Sequence, residues 1–214
     1  LASQRAWDLC NSVEAMVRYA VSIMIAISRD RLLQVEGEKE ILNRPLTFGK
    51  WIELLREYSR TVRSNTDVTI MKNIAEFYAE GKGASGRVAK FINSTVTLRN
   101  KMAHPPGGVR PDELTCETFE EQLRSGVDTA INELVRCLPG TLLVIKSIEG
   151  FGSGESIRYS AGVLNGESSL FKNVQIESPD KLSPGTVGIW SDHSKSFLKL
   201  YPLITYRKCP TCQL

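Results

Sequence analysis

The chain has 214 residues, 42% of them hydrophobic and 24% charged, which suits one large domain or two small ones and excludes disorder as its main state. Its 27 basic residues face 24 acidic ones for a net charge of +3, so a nucleic-acid surface has to come from local clustering rather than from total charge. The opening LASQRAWDLCNSVEAMV breaks its apolar character with acidic and polar residues and reads against a signal peptide, while the apolar run YAVSIMIAIS reads as too short to cross a bilayer.

Residues 1 to about 138 carry helical periodicity. In the first segment Val13, Met16, Val17, Ala20, Val21, Met24 and Ile27 recur at three- and four-residue spacing, predicting one apolar stripe along a long helix. NRPLTFGKWIELLREYSR predicts a second helix, with Thr47 as N-cap and Trp51, Leu54, Leu55 and Tyr58 on its apolar side. DVTIMKNIAEFYAEG gives a shorter amphipathic helix through Ile70, Ile74 and Phe77, closed by Gly81. SGRVAKFINSTVTLRNKMAH follows, with Val88, Ile92, Thr95, Leu98 and Met102 on one side. The last helix, TCETFEEQLRSGVDTAINELVRCL, starts at Thr115 or Thr118 as N-cap, has an acidic first turn and stops at Pro139-Gly140. Four or five such helices with short connections predict a bundle.

The pattern changes after Gly140. TLLVIKSIEGF, SIRYSAGVL, SLFKNVQIES, TVGIWSD and SFLKLYPLITYRK are short, rich in β-branched and aromatic residues, and separated by Gly, Ser, Asn, Asp and Pro. They predict four to six antiparallel strands, with a hairpin turn at Asp192 to Lys195 and one flexible stretch, GFGSGES. The expected fold class is therefore α+β, with an all-α bundle over residues 1–138 and a small antiparallel β module over 139–214. Trp190, Phe197, Tyr201 and Tyr206 read as core or interface residues of that module rather than as a surface for stacking bases.

Five cysteines, an odd number at irregular spacing, argue against a secreted disulfide framework and for a reducing cytoplasm. Cys10, Cys116 and Cys137 fall in helical segments, where a cysteine acts as a small buried hydrophobe. Cys209 and Cys212, in YRKCPTCQL, make half of a zinc ribbon; a closed structural site needs four ligands, and neither spacing nor sequence brings in His193. A redox role is disfavoured because that Cys-x-x-Cys follows a strand instead of opening a helix. The start without Met and the stop two residues after Cys212 predict a piece of a longer protein, with the other half of the ribbon outside it. No metal or other cofactor is expected from these residues alone.

TLRNKMAHPPGG places Arg99, Asn100 and His104 in the last turns of a helix, just before two prolines. Helix C-termini favour cations, so a capping role accounts for His104 by itself. The same dipole favours the protonated imidazole, which suits a general acid near neutral pH. Arg99 and His104 are five positions apart and diverge on a single helix, whereas two helices meeting across a dimer axis could place both pairs around one phosphate.

RNKMAH resembles the Arg-x4-6-His motif of HEPN domains, with Asn directly after the Arg as in their common form. HEPN domains are all-helical bundles with this motif on a late helix, and the resemblance covers roughly residues 1–138. It implies a metal-independent endoribonuclease that acts on RNA as a homodimer, at a site composed from both copies. Arg99 would then hold the scissile phosphate and His104 would serve as acid or base on the ribose 2′-hydroxyl or the leaving 5′-oxygen. Asn100 would orient the histidine or the phosphate by hydrogen bonds, and the product would be a 2′,3′-cyclic phosphate. Nearby basic residues, Lys90, Lys101 and Arg110 together with Arg87, would guide RNA. The family also includes inactive members that serve as dimerisation or binding modules, so the alternative is an interaction module whose β half recognises a partner. A helical module followed by a β module ending LYPLITYRKCPTC is similar to bacterial signalling or antiviral defence proteins, toxins included, in which such pieces adjoin a larger effector or sensor. A cytoplasmic location with no membrane partner is the expectation from the cysteines and the short apolar run.

Overall fold

Twenty-nine residues of α1 (Ala2–Asp30) form the axis of the helical half. The predicted stripe of Val13, Met16, Val17, Ala20, Val21, Met24 and Ile27 is buried, but Ser22, Ile23, Ile25 and Ser28 are buried as well. The single stripe thus becomes burial all round in the second half of the helix. The cause is that α3 (Phe48–Asn65), α4 (Thr69–Phe77), α5 (Ala84–Ala103) and α6 (Glu113–Cys137) all pack against it. The run YAVSIMIAIS is short, yet the helix that holds it has the length and apolarity of a membrane span, and 72% of its most apolar window is buried inside the protein. Its apolar side chains already have protein partners.

The computed structural model describes residues 1–30, 32–43, 45–65, 69–78, 84–138, 140–152, 154–164, 172–200 and 204, with the backbone alone for 63–65, 69, 70, 84, 85 and 106. The chain divides into two units, Leu1–Leu138 and Pro139–Leu214. The first holds the five helices named above and a short α2 (Glu38–Leu42), which no periodicity announced because five residues make little more than one turn. The class is α+β, with helices first and a five-stranded antiparallel sheet after them.

Thr47 caps α3 as expected, its Oγ1 accepting from the Lys50 N–H at 3.4 Å. α6 starts earlier than expected. Its N-cap is Asp112 rather than Thr115 or Thr118: the Asp112 carboxylate accepts from the Thr115 N–H at 2.8 Å, while Thr118 donates its hydroxyl to the Leu114 carbonyl within the helix. The hydrogen bonds from Thr115 hold the Asp112 carboxyl below its ordinary range. On α4 Ile74 and Phe77 are buried, and on α5 Val88, Ile92, Thr95 and Leu98 are buried with Met102 half-buried. Gly81, Pro139 and the Ile70 side chain lie outside the described residues.

In the second unit β1 (Thr141–Phe151), β2 (Ile157–Val163), β3 (Asn173–Ser178), β4 (Val187–Ser191) and β5 (Ser196–Lys199) run in the order β3-β2-β1-β4-β5. Ser191 pairs with Ser196, which places the predicted turn at 192–195. Leu143, Ile145, Tyr159, Ala161, Ile176, Leu182, Trp190 and Phe197 form the core on one face. Trp190 and Phe197 are core residues as expected, while Tyr201 and Tyr206 lie outside the described residues.

One polar atom in that core is doubly used. The fully buried Tyr159 donates its hydroxyl to the Asp180 carbonyl at 2.8 Å and accepts from the Leu182 N–H at 3.1 Å. Tyr159→Phe leaves both backbone groups unpaired and is expected to lower stability by about 1–3 kcal/mol in urea denaturation. An unchanged midpoint would mean that water replaces the hydroxyl.

Candidate active site at the end of α5

Arg99 lies on the last turns of α5 and turns inward to α1. Its Nη2 is 3.3 Å from Glu14 Oε2, and its guanidinium carbon is 5.5 Å from the centre of the Trp7 ring. Glu14 is only 6% exposed and also pairs with Arg18, one turn further along α1. The Arg18 guanidinium in turn stands 5.8 Å from the Trp51 ring. A carboxylate in the packed face of a helix is costly unless neutralised, and two partly exposed arginines, each over an indole, supply that neutralisation. The Arg99 Nε–H is buried and has no partner. One turn before Glu14, burial pushes the Cys10 thiol up to about 11, with Arg99 pulling the other way.

His104 follows the last residue of α5. Its backbone N–H donates to the Asn100 carbonyl at 2.8 Å and completes the final turn, while its imidazole is exposed. Pro105 cannot extend the helix, and the 3-10 turn Pro106–Gly108 then redirects the chain toward Asp112. Gly107 and Gly108 take φ of 69° and 73° there, in the left-handed region that glycine enters without strain.

These elements enclose a cleft of about 770 Å³. Gln4 and Trp7 come from the first turns of α1, Met102 and His104 from the end of α5, and Arg110 and Pro111 from the loop before α6. Two pairs tie that end of α1 to α6: Glu113 Oε1 accepts the Ala2 N–H at 2.8 Å, and Arg5 Nε donates to Glu120 at 2.7 Å. Trp7 joins the two halves of the sequence motif, since its ring meets Arg99 and also lines the cleft in which His104 stands.

Of the residues expected to act, His104 and Arg110 are in the cleft and Arg99 sits beside Trp7. Asn100 and Lys101 are exposed on the last turn of α5. Lys90 is exposed about 20 Å back along the helix axis and is not brought to the cleft. Cys10 and Cys116 are buried, and Cys137 is half-buried with its sulfur 3.1 Å from the Glu133 carbonyl oxygen. Among the described residues no three His, Cys, Asp or Glu side chains are grouped to hold a metal, and Cys209 and Cys212 lie outside those residues. His193 is in the exposed β4–β5 turn.

Two residues of the site were not anticipated. Glu14 had a signal: it stands one turn from Cys10 and Val17, so it is a carboxylate on the buried face of an amphipathic helix. Trp7 had the same signal, since it stands three residues before Cys10 on that face. Compared with known proteins, the chain matches no family profile, no curated sequence and no solved structure.

Proposed function

We propose that the helical unit is a metal-independent endoribonuclease of the HEPN type, working at a composite site formed by two copies of the chain. The observation that carries this reading is an exposed histidine in a cleft that also holds Arg110 and the indole packed against Arg99. In the reaction one His104 removes the proton of a ribose 2′-hydroxyl. That oxygen attacks the adjacent phosphorus, and the P–O5′ bond breaks. The partner copy's histidine gives its proton to the departing 5′-oxygen. The products are a 2′,3′-cyclic phosphate and a 5′-hydroxyl end. Arg99, packed against Trp7 beside the cleft, bears on the phosphate through its guanidinium fork. Asn100 orients the pair, while Lys101 and Arg110 hold neighbouring phosphates. The β unit recruits a partner, and the protein acts in the cytoplasm as part of bacterial defence or signalling.

One observation favours a second reading, an inactive dimerisation module: Glu14 already occupies one arm of the Arg99 guanidinium. Labelled single-stranded RNA in EDTA separates the two. Cleavage to cyclic-phosphate ends, with DNA of the same sequence left intact, is the expected result. RNA that stays whole with the dimeric protein at high concentration, for wild type and Glu14→Gln alike, decides for the module.

A further inference from the structure

Trp7 is the large aromatic residue of the cleft, and it does not belong to the core beside it. That core is Ala6, Cys10, Leu98 and Leu123, with Leu9, Phe91, Met102 and Phe119 packed against them. The indole is instead half-buried, in contact with a cation and open to the cleft. Gln4, one turn earlier on the same face of α1, lines the cleft too. Its Nε2 donates to Asp8 Oδ1 at 2.9 Å, which leaves its carbonyl oxygen as an acceptor. An indole, an amide and the Arg110 guanidinium lining one cleft are complementary to one nucleotide: ring, base edge and phosphate. The cleft volume of about 770 Å³ falls in the size range of small-ligand sites.

We propose that Trp7 is the stacking platform for one unpaired base of single-stranded RNA, seated in this cleft with its phosphate on Arg110. The proposal rests on the ribonuclease reading for its choice of ligand and adds to it the residue that holds a base. A base inside a duplex presents no free face, so the platform selects single strands. Because stacking accepts any base, selectivity by sequence is left to the contact of Gln4 with the base edge.

The test uses a 2′-O-methyl oligonucleotide, which lacks the attacking hydroxyl, so that binding is read apart from cleavage. Trp51 and Trp190 are buried, so quenching of tryptophan fluorescence on binding reports Trp7. Quenching is expected from the single strand and not from a duplex of equal length. Replacing one base in turn with an abasic residue is expected to weaken binding about 5- to 150-fold at one position, with the phosphate charges unchanged. Trp7→Leu is expected to weaken binding of the intact strand by a similar factor and to abolish its preference over the abasic strand, while Trp7→Phe retains most of both. Intact and abasic strands bound equally by the wild type overturn the platform, and this arm stands even where Trp7→Leu fails to fold. A Trp7→Leu protein that keeps the preference also overturns it. Base-dependent quenching without RNA cleavage keeps the platform and removes the ribonuclease; cleavage without base-dependent binding does the reverse.

Discussion

His104→Ala is expected to reduce RNA cleavage about 10²–10⁴-fold while the melting temperature stays at the wild-type value. The two halves of that expectation come from different atoms. The imidazole is exposed, so truncating it leaves no cavity and no unsatisfied buried group. The bond that closes α5 is made by the backbone N–H of His104 to the Asn100 carbonyl, and alanine keeps it. What disappears is the imidazole in the cleft that transfers the proton in the proposed reaction. The assay is single-turnover cleavage of a labelled strand in EDTA, with a thermal melt on the same preparation. His104→Gln belongs beside it, because glutamine can hydrogen-bond a phosphate but cannot shuttle a proton. Full cleavage by both variants would reduce His104 to a helix-end cation.

How much of this was legible in the sequence depends on the range of the interactions. The helices over residues 1–138 and the strands after Gly140 are written in local periodicity and composition, and the hairpin at 192–195 in its turn residues. Local rules failed where two caps competed. Threonine at 115 and 118 outweighed Asp112, although the aspartate was the stronger capping residue and lay just upstream. The burial of Ile23 and Ile25 on the nominally outer side of α1 was invisible, because it reflects how many helices surround that one. The site divides in the same way. Arg99 and His104 share a short motif and could be named together, and Arg110 follows a few residues on. The contacts that define the chemistry of Arg99, with Glu14 and Trp7, come from a helix at the other end of the bundle sequence. Lys90 shows the converse limit: it is close to the motif in sequence, but a helix carries its residues apart by 1.5 Å each, and it does not line the cleft.

Glu14→Ala is the substitution expected to harm both stability and activity. Removing one member of a fully buried ion pair typically costs about 3–5 kcal/mol, because a charge is left without compensation. Here the survivors have an outlet: Arg18 is half exposed and Arg99 is 29% exposed, so both can draw on water. A loss of about 2 kcal/mol in urea denaturation is the expected result, and a double-mutant cycle with Arg99→Ala should return a coupling of about 1 kcal/mol between the two. The effect on cleavage follows from what Glu14 does for its partner. It holds the guanidinium beside Trp7, so without it Arg99 samples many rotamers and the turnover rate falls. Strand affinity is expected to change little, because in the proposed reading it comes from Arg110 and the cleft. Glu14→Gln refines the point, since the amide can still accept from Arg99 but no longer competes with a phosphate as a charge. A carboxylate that only positions Arg99 gives partial activity in that variant. One that masks Arg99 gives more activity than wild type, because the guanidinium is then released to the substrate, and the inward pairing with Glu14 would be the resting state of a gated enzyme.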